Sequence, residues 1–251
     1  MRNFLAQKEF IDIIAKSQKE FEKNLKNKKL MFIYENKDRT IGKEEMFFPT
    51  TSFYHLTGIK AYDLNNKLIN SYKFYKLLQA GGIDESKLKI KDNTTYYKLE
   101  VLPQLMKIDR MASMIGNFNG NSLLLQTNKL VGNVNACMGF IKNEQNIYVP
   151  NTALKKDIRD ITNERKKIIA VLKKDINEKI YKNITYLKQK YQIISILQNQ
   201  EVNKEIDINH LYSNDKFIDR EICEFMINRE IMNLKKNLKN SWQNEKKILL
   251  Y

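Results

Sequence analysis

The sequence predicts an α+β protein in which helices come first, short strands follow, and a helical extension ends the chain. Three observations carry this reading. Apolar residues recur at helical spacing in several segments before Met111; from Met111 the texture changes to short β-prone runs between Asn- and Gly-rich turns; and the helical period returns beyond Tyr191. Apolar residues make up 42% of the 251 and aromatics 10%, enough to build a real core and to argue against wholesale disorder.

In chain order, Phe10, Ile13, Ile14, Phe21 and Leu25 alternate with Lys, Glu and Gln, which predicts an amphipathic helix over 4–26. Leu30–Tyr34, a polar turn at Glu35–Asp38 and Thr40–Phe48 read as a hairpin, which Pro49 ends. Two helices are expected at 66–79 and 94–108; Leu68, Tyr72, Tyr75 and Leu78 line one face of the first, and Gly81-Gly82 stops it. Ser122–Gln126, Val131–Ile141 and Ile147–Val149 read as adjoining antiparallel strands, and residues 152–161 as a short helix. Lys167–Lys173 and Ile180–Leu187 read as two more strands. A long amphipathic helix near 217–242 carries Cys223, Ile227, Ile231, Leu234, Leu238 and Trp242 as a stripe for packing or for oligomer formation. This divides the chain into an N-terminal helix at 1–28, a main domain at 29–190 and a helical C-terminal extension at 191–251.

Charge supports the last boundary. Lys and Arg number 44 against 29 Asp and Glu, a formal charge of +15. Residues 1–110 carry 21 cations against 14 anions, residues 155–190 carry 12 against five, and residues 191–251 carry nine of each. Between them, residues 111–154 hold only Lys129 and Lys142 against Glu144. A positive field attracts phosphate backbones before any specific contact forms. The excess of Lys, Asn and Ile also fits simple composition bias, since only seven of the 44 cations are arginine.

Several function classes find no support. No apolar run approaches the ~18 residues of a membrane span, and the N-terminus has no apolar secretory segment. A cytoplasmic location in a bacterial host cell is therefore expected, and the two separated cysteines, read as buried free thiols, suit a reducing compartment. Neither a Gly-x-Gly-x-x-Gly nor a phosphate-binding loop is present, so no nucleotide cofactor is expected. Two histidines and two isolated cysteines make no zinc-ligand cluster, and no tight carboxylate constellation suggests a two-metal nuclease. Phosphodiester chemistry here would then be metal-independent. Such chemistry needs a base for the RNA 2′-OH, an acid for the leaving 5′-oxygen, and cations for the phosphoryl charge.

His55 is the candidate proton carrier, since histidine titrates near neutrality. It sits in the box Phe53-Tyr54-His55-Leu56-Thr57-Gly58-Ile59. In an extended segment Thr57 would share its face, and Gly58 would let the backbone approach a phosphate. A hydrogen-bonded core histidine is the other reading. His210, in the neutral tail, reads as a surface residue. Candidate nucleic-acid contacts are Lys60 beside the box, Lys166, Lys167, Lys173 and Lys174 on one basic face, and Arg110. Arg110 could clamp a phosphate or simply complement a helix dipole.

The box resembles the "HLTG" box of phage- and mobile-element-associated nuclease-like domains in the barnase–EndoU–colicin–RelE superfamily. The similarity runs through Phe74–Gly81, Met138–Phe140, Tyr148–Thr152 and Ile168–Lys174 to Tyr181–Lys188, about residues 30–190. It implies an RNase-like α+β fold with helices packed on an antiparallel sheet and a site on the sheet face. It also implies His55 as a functional group, Thr57 as an orienting or phosphate-contacting hydroxyl, and Thr185 and Lys188 as polar positions aimed at substrate. Thr185 and Lys188 read equally as a solvated strand face. The expected function is an endoribonuclease of a phage or toxin-type conflict system, leaving a 2′,3′-cyclic phosphate on tRNA or another structured RNA. The alternative is a non-catalytic binder of RNA or of a ribonucleoprotein, such as an inhibitor of a host defence complex. On either reading, a protein partner or a second copy is expected to engage the C-terminal helices.

Overall fold

In the computed structural model the described residues are 7–120, 125–188, 196–207 and 211–213, with the helical positions 224, 227–229, 231–236 and 239. Helix α1 (Gln7–Asn24) leads into the hairpin β1 (Lys28–Glu35) and β2 (Ile41–Phe47). Then come α2 (Ser52–Thr57), β3 (Ile59–Ala61), α3 (Ser71–Gln79), β4 (Leu88–Ile90), α4 (Thr94–Leu105) and α5 (Ile108–Met111). The strand-rich part follows: β5 (Met114–Phe118), β6 (Lys129–Gly132), β7 (Cys137–Lys142), β8 (Tyr148–Leu154), β9 (Thr162–Asp175) and β10 (Asn183–Leu187). A short helix α6 (Gln200–Asn203) and β11 (Tyr212–Ser213) complete the described elements.

The main sheet does not lie open. Its order is β1-β2-β8-β7-β6-β5-β9, and β9 pairs back onto β1, so the seven strands close into a barrel. Strand β9 makes this possible by its length. One of its edges pairs with β1, and the other pairs first with β5 and then with β10. The weakest seam is β2–β8, a parallel contact at the single pair Met46–Tyr148. Helices α2 and α4 pack against β8 beside that seam. The antiparallel sheet expected under packed helices is thus closed into a barrel: the hairpin supplies two barrel staves, and helices and barrel interior share one core.

That core joins Phe10, Ile14, Phe21 and Leu25 of α1 to Phe53 and Leu56 of α2, Phe74 and Tyr75 of α3, and the inward residues of the barrel. Helix α1 thus packs into the same core as the barrel. Each fully buried Phe or Leu contributes about 1.5–3 kcal/mol, and the rings of Phe21, Phe53 and Tyr75 meet at 5.3–6.2 Å between centroids. Strand β1 is buried on both faces. Leu30, Phe32 and Tyr34 face this core, while Met31 and Ile33 face a second one built with Ile169, Leu172, Tyr181, Ile184, Ile196, Leu197, Val202 and Ile206. The first part of the C-terminal extension therefore covers the barrel's outer face. The Lys43–Glu205 ion pair ties it there, as do two backbone bonds, the Tyr181 N–H donating to the Glu205 carbonyl (2.8 Å) and the Asp207 N–H to the Tyr181 carbonyl (3.0 Å).

Other expectations shift locally. The helix expected at 66–79 starts only at Ser71, because the Asn70 side chain accepts from the Lys73 N–H and caps it there. Val131–Ile141 is two strands, broken by a turn in which Asn133 Oδ1 accepts from the Asn135 and Ala136 N–H groups. Residues 152–161 are not a helix: β8 runs to Leu154 with Thr152 and Ala153 buried, and only one 3-10 turn (Ile158–Asp160) follows. Strand β5, whose run the sequence reading passed over, lines the barrel. Most of the strand expected at Ser122–Gln126, His210, Cys223 and much of the helix expected at 217–242 lie outside the described residues. Cys137 is buried, and burial pushes its thiol up to about 12, so it is an inert core residue. Among the described residues no helix is long and apolar enough to cross a membrane.

Candidate active site

Side chains alternate across a strand, so each barrel stave carries an inward stripe. Along these stripes the chemistry changes in one direction. Phe32 is followed by Tyr34 on β1, Met46 by Glu44 on β2, Val131 by Lys129 on β6, and Met138 and Phe140 by Lys142 on β7. On β5 Ile115 gives way to Asn117, and on β9 Ile168 to Lys166. Strand directions and register put all the polar ends at one mouth, beside Tyr148.

At the mouth Lys129 forms an ion pair with Glu44 and sits over the Tyr148 ring, its Nζ 5.1 Å from the centroid. Lys142 lies 5.2 Å from the same ring, and Lys166 lies 4.5 Å from the Tyr34 ring. The Lys129 side chain is 11% exposed and that of Glu44 24%, so their attraction is only partly screened. Burial, and then the Glu44 carboxylate, hold the phenols of Tyr34 and Tyr148 above their ordinary value. The space enclosed by Tyr34, Glu44, Ile115, Asn117, Lys129 and Lys166 is about 10 Å³, room for one water molecule and not for a phosphate. A substrate would lie across the rim. There, grooves of about 620 Å³ and 370 Å³ adjoin, lined by Lys37, Arg39, Glu164, Arg165, Lys166 and Lys167. Two rim residues, Arg39 (φ 67°) and Glu164 (φ 50°), adopt the left-handed conformation without being glycine. Glu164 does so where the β5–β9 register slips, a bulge just before Arg165 and Lys166.

The His55 box is built differently. It forms helix α2, and Gly58 (φ 70°) ends it in the left-handed conformation that spares glycine a steric penalty. Thr57 therefore does not share the face of His55. It is fully buried, and its hydroxyl donates to the Tyr54 carbonyl (2.7 Å) and accepts from the Ile59 N–H (3.3 Å). Gly58 closes the helix and packs on α4, with the Thr95 hydroxyl donating to its carbonyl (2.6 Å). His55 itself is exposed, with Nε2 3.4 Å from Ser71 Oγ. Burial of part of the ring, then Lys91 and Lys98, push it below the ordinary histidine value. His55 stands beside Ser71, Lys91, Lys98 and Tyr54, none of them a mouth residue.

Residues 13–190, more than half of the chain, match the family described as phage-Barnase-EndoU-ColicinE5/D-RelE like nuclease4. The chain belongs to this family. No curated protein and no solved structure matches it. The family description puts the chain among nuclease-like proteins of the barnase–EndoU–colicin–RelE type. Beyond that assignment, the chemistry rests on the residues themselves.

The other residues expected at a site of this nuclease-like chain are dispersed over the fold. Arg110, Lys173 and Thr185 converge on Asp109, which is completely buried. Lys173 Nζ bonds Asp109 Oδ2 at 2.8 Å, Arg110 Nε lies 3.8 Å from the same oxygen, and the Thr185 hydroxyl donates to the Asp109 carbonyl (2.9 Å). This is a pin between α5, β9 and β10. Lys174 is buried on the opposite side of β9, over the Tyr181 ring at 4.3 Å and donating to the Lys179 carbonyl. Lys166 turns to the mouth and Lys167 to the open groove. The expected single basic face is thus corrected, because strand alternation sends neighbouring lysines to opposite sides. Lys60 is exposed on β3, and Lys188 is half-buried just past β10. Among the described residues no group of three or more His, Cys, Asp or Glu could hold a metal ion. The sequence reading missed Tyr34, Glu44 and Tyr148 as site residues. Its available signal was the isolation of Lys129 and Lys142 in an otherwise nearly uncharged stretch.

Proposed function

We propose that this nuclease-like chain is an endoribonuclease whose active site is the polar mouth of the barrel, within a phage or toxin-type conflict system. One observation carries the reading: the inward stripes of six staves turn from apolar to polar at the same end. They collect a carboxylate, three ammonium groups and a phenol beside the Tyr148 phenol of β8, where a packed core would otherwise continue. Polar and charged groups are costly to bury, so their convergence at one rim favours a site.

The chemistry follows from the groups. An RNA strand lying along Lys37, Arg39, Arg165 and Lys167 brings a phosphodiester over the mouth. Glu44 accepts the proton of the adjacent 2′-OH, and the 2′-oxygen attacks phosphorus. The P–O2′ bond forms, the P–O5′ bond breaks, and a lysine ammonium (Lys129 or Lys166) protonates the leaving 5′-oxygen. The remaining cations stabilise the charge on the non-bridging oxygens, and the phenols of Tyr34 and Tyr148 orient it. The products are a 2′,3′-cyclic phosphate and a 5′-hydroxyl. DNA lacks the nucleophile.

The closed Glu44–Lys129 pair and the one-water cavity favour a second reading, a rim that binds RNA without cutting it. One assay separates the two: incubation of a labelled structured RNA, and of the same RNA with a 2′-deoxy residue at each cut position, in EDTA. The endoribonuclease reading expects cyclic-phosphate ends from the first and resistance of the second. Binding of both without cleavage supports the binder, and cutting of the 2′-deoxy RNA overturns the mechanism.

A further inference from the structure

The second charged cluster, at the α2 box, has a composition that the mouth does not. Lys91 and Lys98 both act on the His55 ring, and Lys91 also acts on Lys98. Lys91 stands in the segment between β4 and α4, and Lys98 on the second turn of α4. Asp92 is the carboxylate within range of the two lysines, and it is occupied: its Oδ1 accepts from the Thr94 N–H (2.8 Å) and from the Thr94 hydroxyl (2.5 Å). The Lys98 stem packs so tightly on Gly58 that a Cβ at Gly58 would lie 2.8 Å from Lys98 Cδ. The absence of a side chain at Gly58 is what lets this lysine lie against the end of the histidine helix. Ser71 Oγ, 3.4 Å from His55 Nε2, adds a hydroxyl that can donate.

A histidine with two lysines and a hydroxyl around it, beside an Asp92 whose Oδ1 is already held by Thr94, is the donor set of an oxyanion site. Nothing in the fold requires it: His55 and Lys91 are exposed, and the packing of α2 rests on Phe53, Leu56 and Thr57. We propose that His55, Lys91, Lys98 and Ser71 form a phosphate-binding subsite, separate from the barrel mouth, that takes a phosphate group of a nucleic-acid strand. Binding is coupled to a proton. The free ring favours its neutral form, and a bound oxyanion offsets the two ammonium charges and favours the imidazolium. Affinity therefore rises as pH falls through the histidine range. The subsite does not depend on cleavage, so it stands or falls apart from the proposed nuclease activity.

The test is an NMR titration of the histidine rings of the full chain between pH 5 and 8. Sodium sulfate, whose charge is constant over that range, is compared with sodium chloride at equal ionic strength. His55→Gln assigns the two histidine signals. Sulfate is expected to raise the His55 midpoint by about one unit, the size of effect one nearby opposite charge has, and to leave His210 where it was. In Lys91→Gln and in Lys98→Gln the His55 midpoint without sulfate rises, because a cation is gone, and the sulfate effect shrinks by at least half. Lys91 is exposed, so its variant keeps the test valid should Lys98→Gln unfold. Equal His55 midpoints in sulfate and chloride, an equal shift of His210, or an undiminished effect in both lysine variants would overturn the proposal. Short all-deoxy oligonucleotides with and without a 5′-phosphate then separate the two sources. A His55 shift with both assigns an internal phosphodiester, and a shift only with the phosphorylated strand assigns a terminal monoester.

Discussion

The barrel mouth and the α2 box both set a proton-titrating group among lysines, but they are assembled in opposite ways. The box is contiguous: Phe53 to Ile59 supply a helix, its cap and its histidine, and only Ser71, Lys91 and Lys98 come from elsewhere. The mouth has no contiguous piece. Tyr34, Glu44, Asn117, Lys129, Lys142, Tyr148 and Lys166 come from seven strands, one each, and meet because the barrel closes. The box is conspicuous in the sequence and sets its histidine beside two cations. The mouth is inconspicuous in the sequence and holds the carboxylate that a proton abstraction needs. Conspicuousness in sequence measures local compactness, and catalytic competence depends on which groups the tertiary structure sets side by side.

The largest effect that would sharpen this comparison is on cleavage. Glu44→Gln should slow single-turnover cleavage by about 10²–10⁴-fold, the usual worth of one acid–base group, while His55→Ala costs less than about tenfold. The reverse order would move the active site to the box. Next comes stability at the pin that the mouth does not use. Asp109→Ala leaves Lys173 without its buried partner and should cost about 3 kcal/mol, read as a lower denaturation midpoint at unchanged m-value. A surface ion pair would cost a quarter of that or less.

A third change tests the mouth through packing alone. Gly42 pairs directly with Tyr34 across the hairpin, and a Cβ there would overlap the Tyr34 ring. Gly42→Ala should destabilise by about 1–3 kcal/mol and lower cleavage by displacing the ring, with RNA affinity nearly intact. At the box, Thr57→Val should cost about 1 kcal/mol of stability through the lost hydrogen bond to Tyr54, with the cleavage rate of the folded fraction unchanged. A large rate loss there would mean that Thr57 touches substrate after all. The smallest effect is in pH. His55 is held below its unfolded value, so the unfolded chain takes up the proton first as pH falls below about 6.5. The melting temperature of the wild type minus that of His55→Gln should therefore be constant above neutrality and decline on the acid side. A difference that grew on the acid side would mean that the ring is held protonated.

The amino-acid sequence by itself determined much of the local structure. Helical spacing set α1, a β-prone apolar run, a polar turn and Pro49 set the β1–β2 hairpin, and the change of texture at Met111 marked where helices give way to strands. These are properties of neighbouring residues, legible because periodicity, turn residues and caps act over a few positions. The box was legible too, although its helical form was not, since a six-residue aromatic segment has no period long enough to separate helix from strand.

What only the tertiary structure decided was closure. Nothing local in Lys28–Glu35 says that β1 will pair with β9, more than a hundred residues away, yet that pairing turns an open sheet into a barrel. Closure gives every stave an inside, and only then do Tyr34, Glu44, Lys129 and Lys166 share a mouth. It also decided the fate of the basic segment, because adjacent lysines on β9 leave on opposite faces. Lys166 reaches the mouth, Lys167 the groove, Lys173 a buried aspartate and Lys174 an aromatic ring. Side-chain direction along a strand is a local property. What waits on each side depends on non-local pairing, and that dependence is why the charges were readable in the sequence and their roles were not.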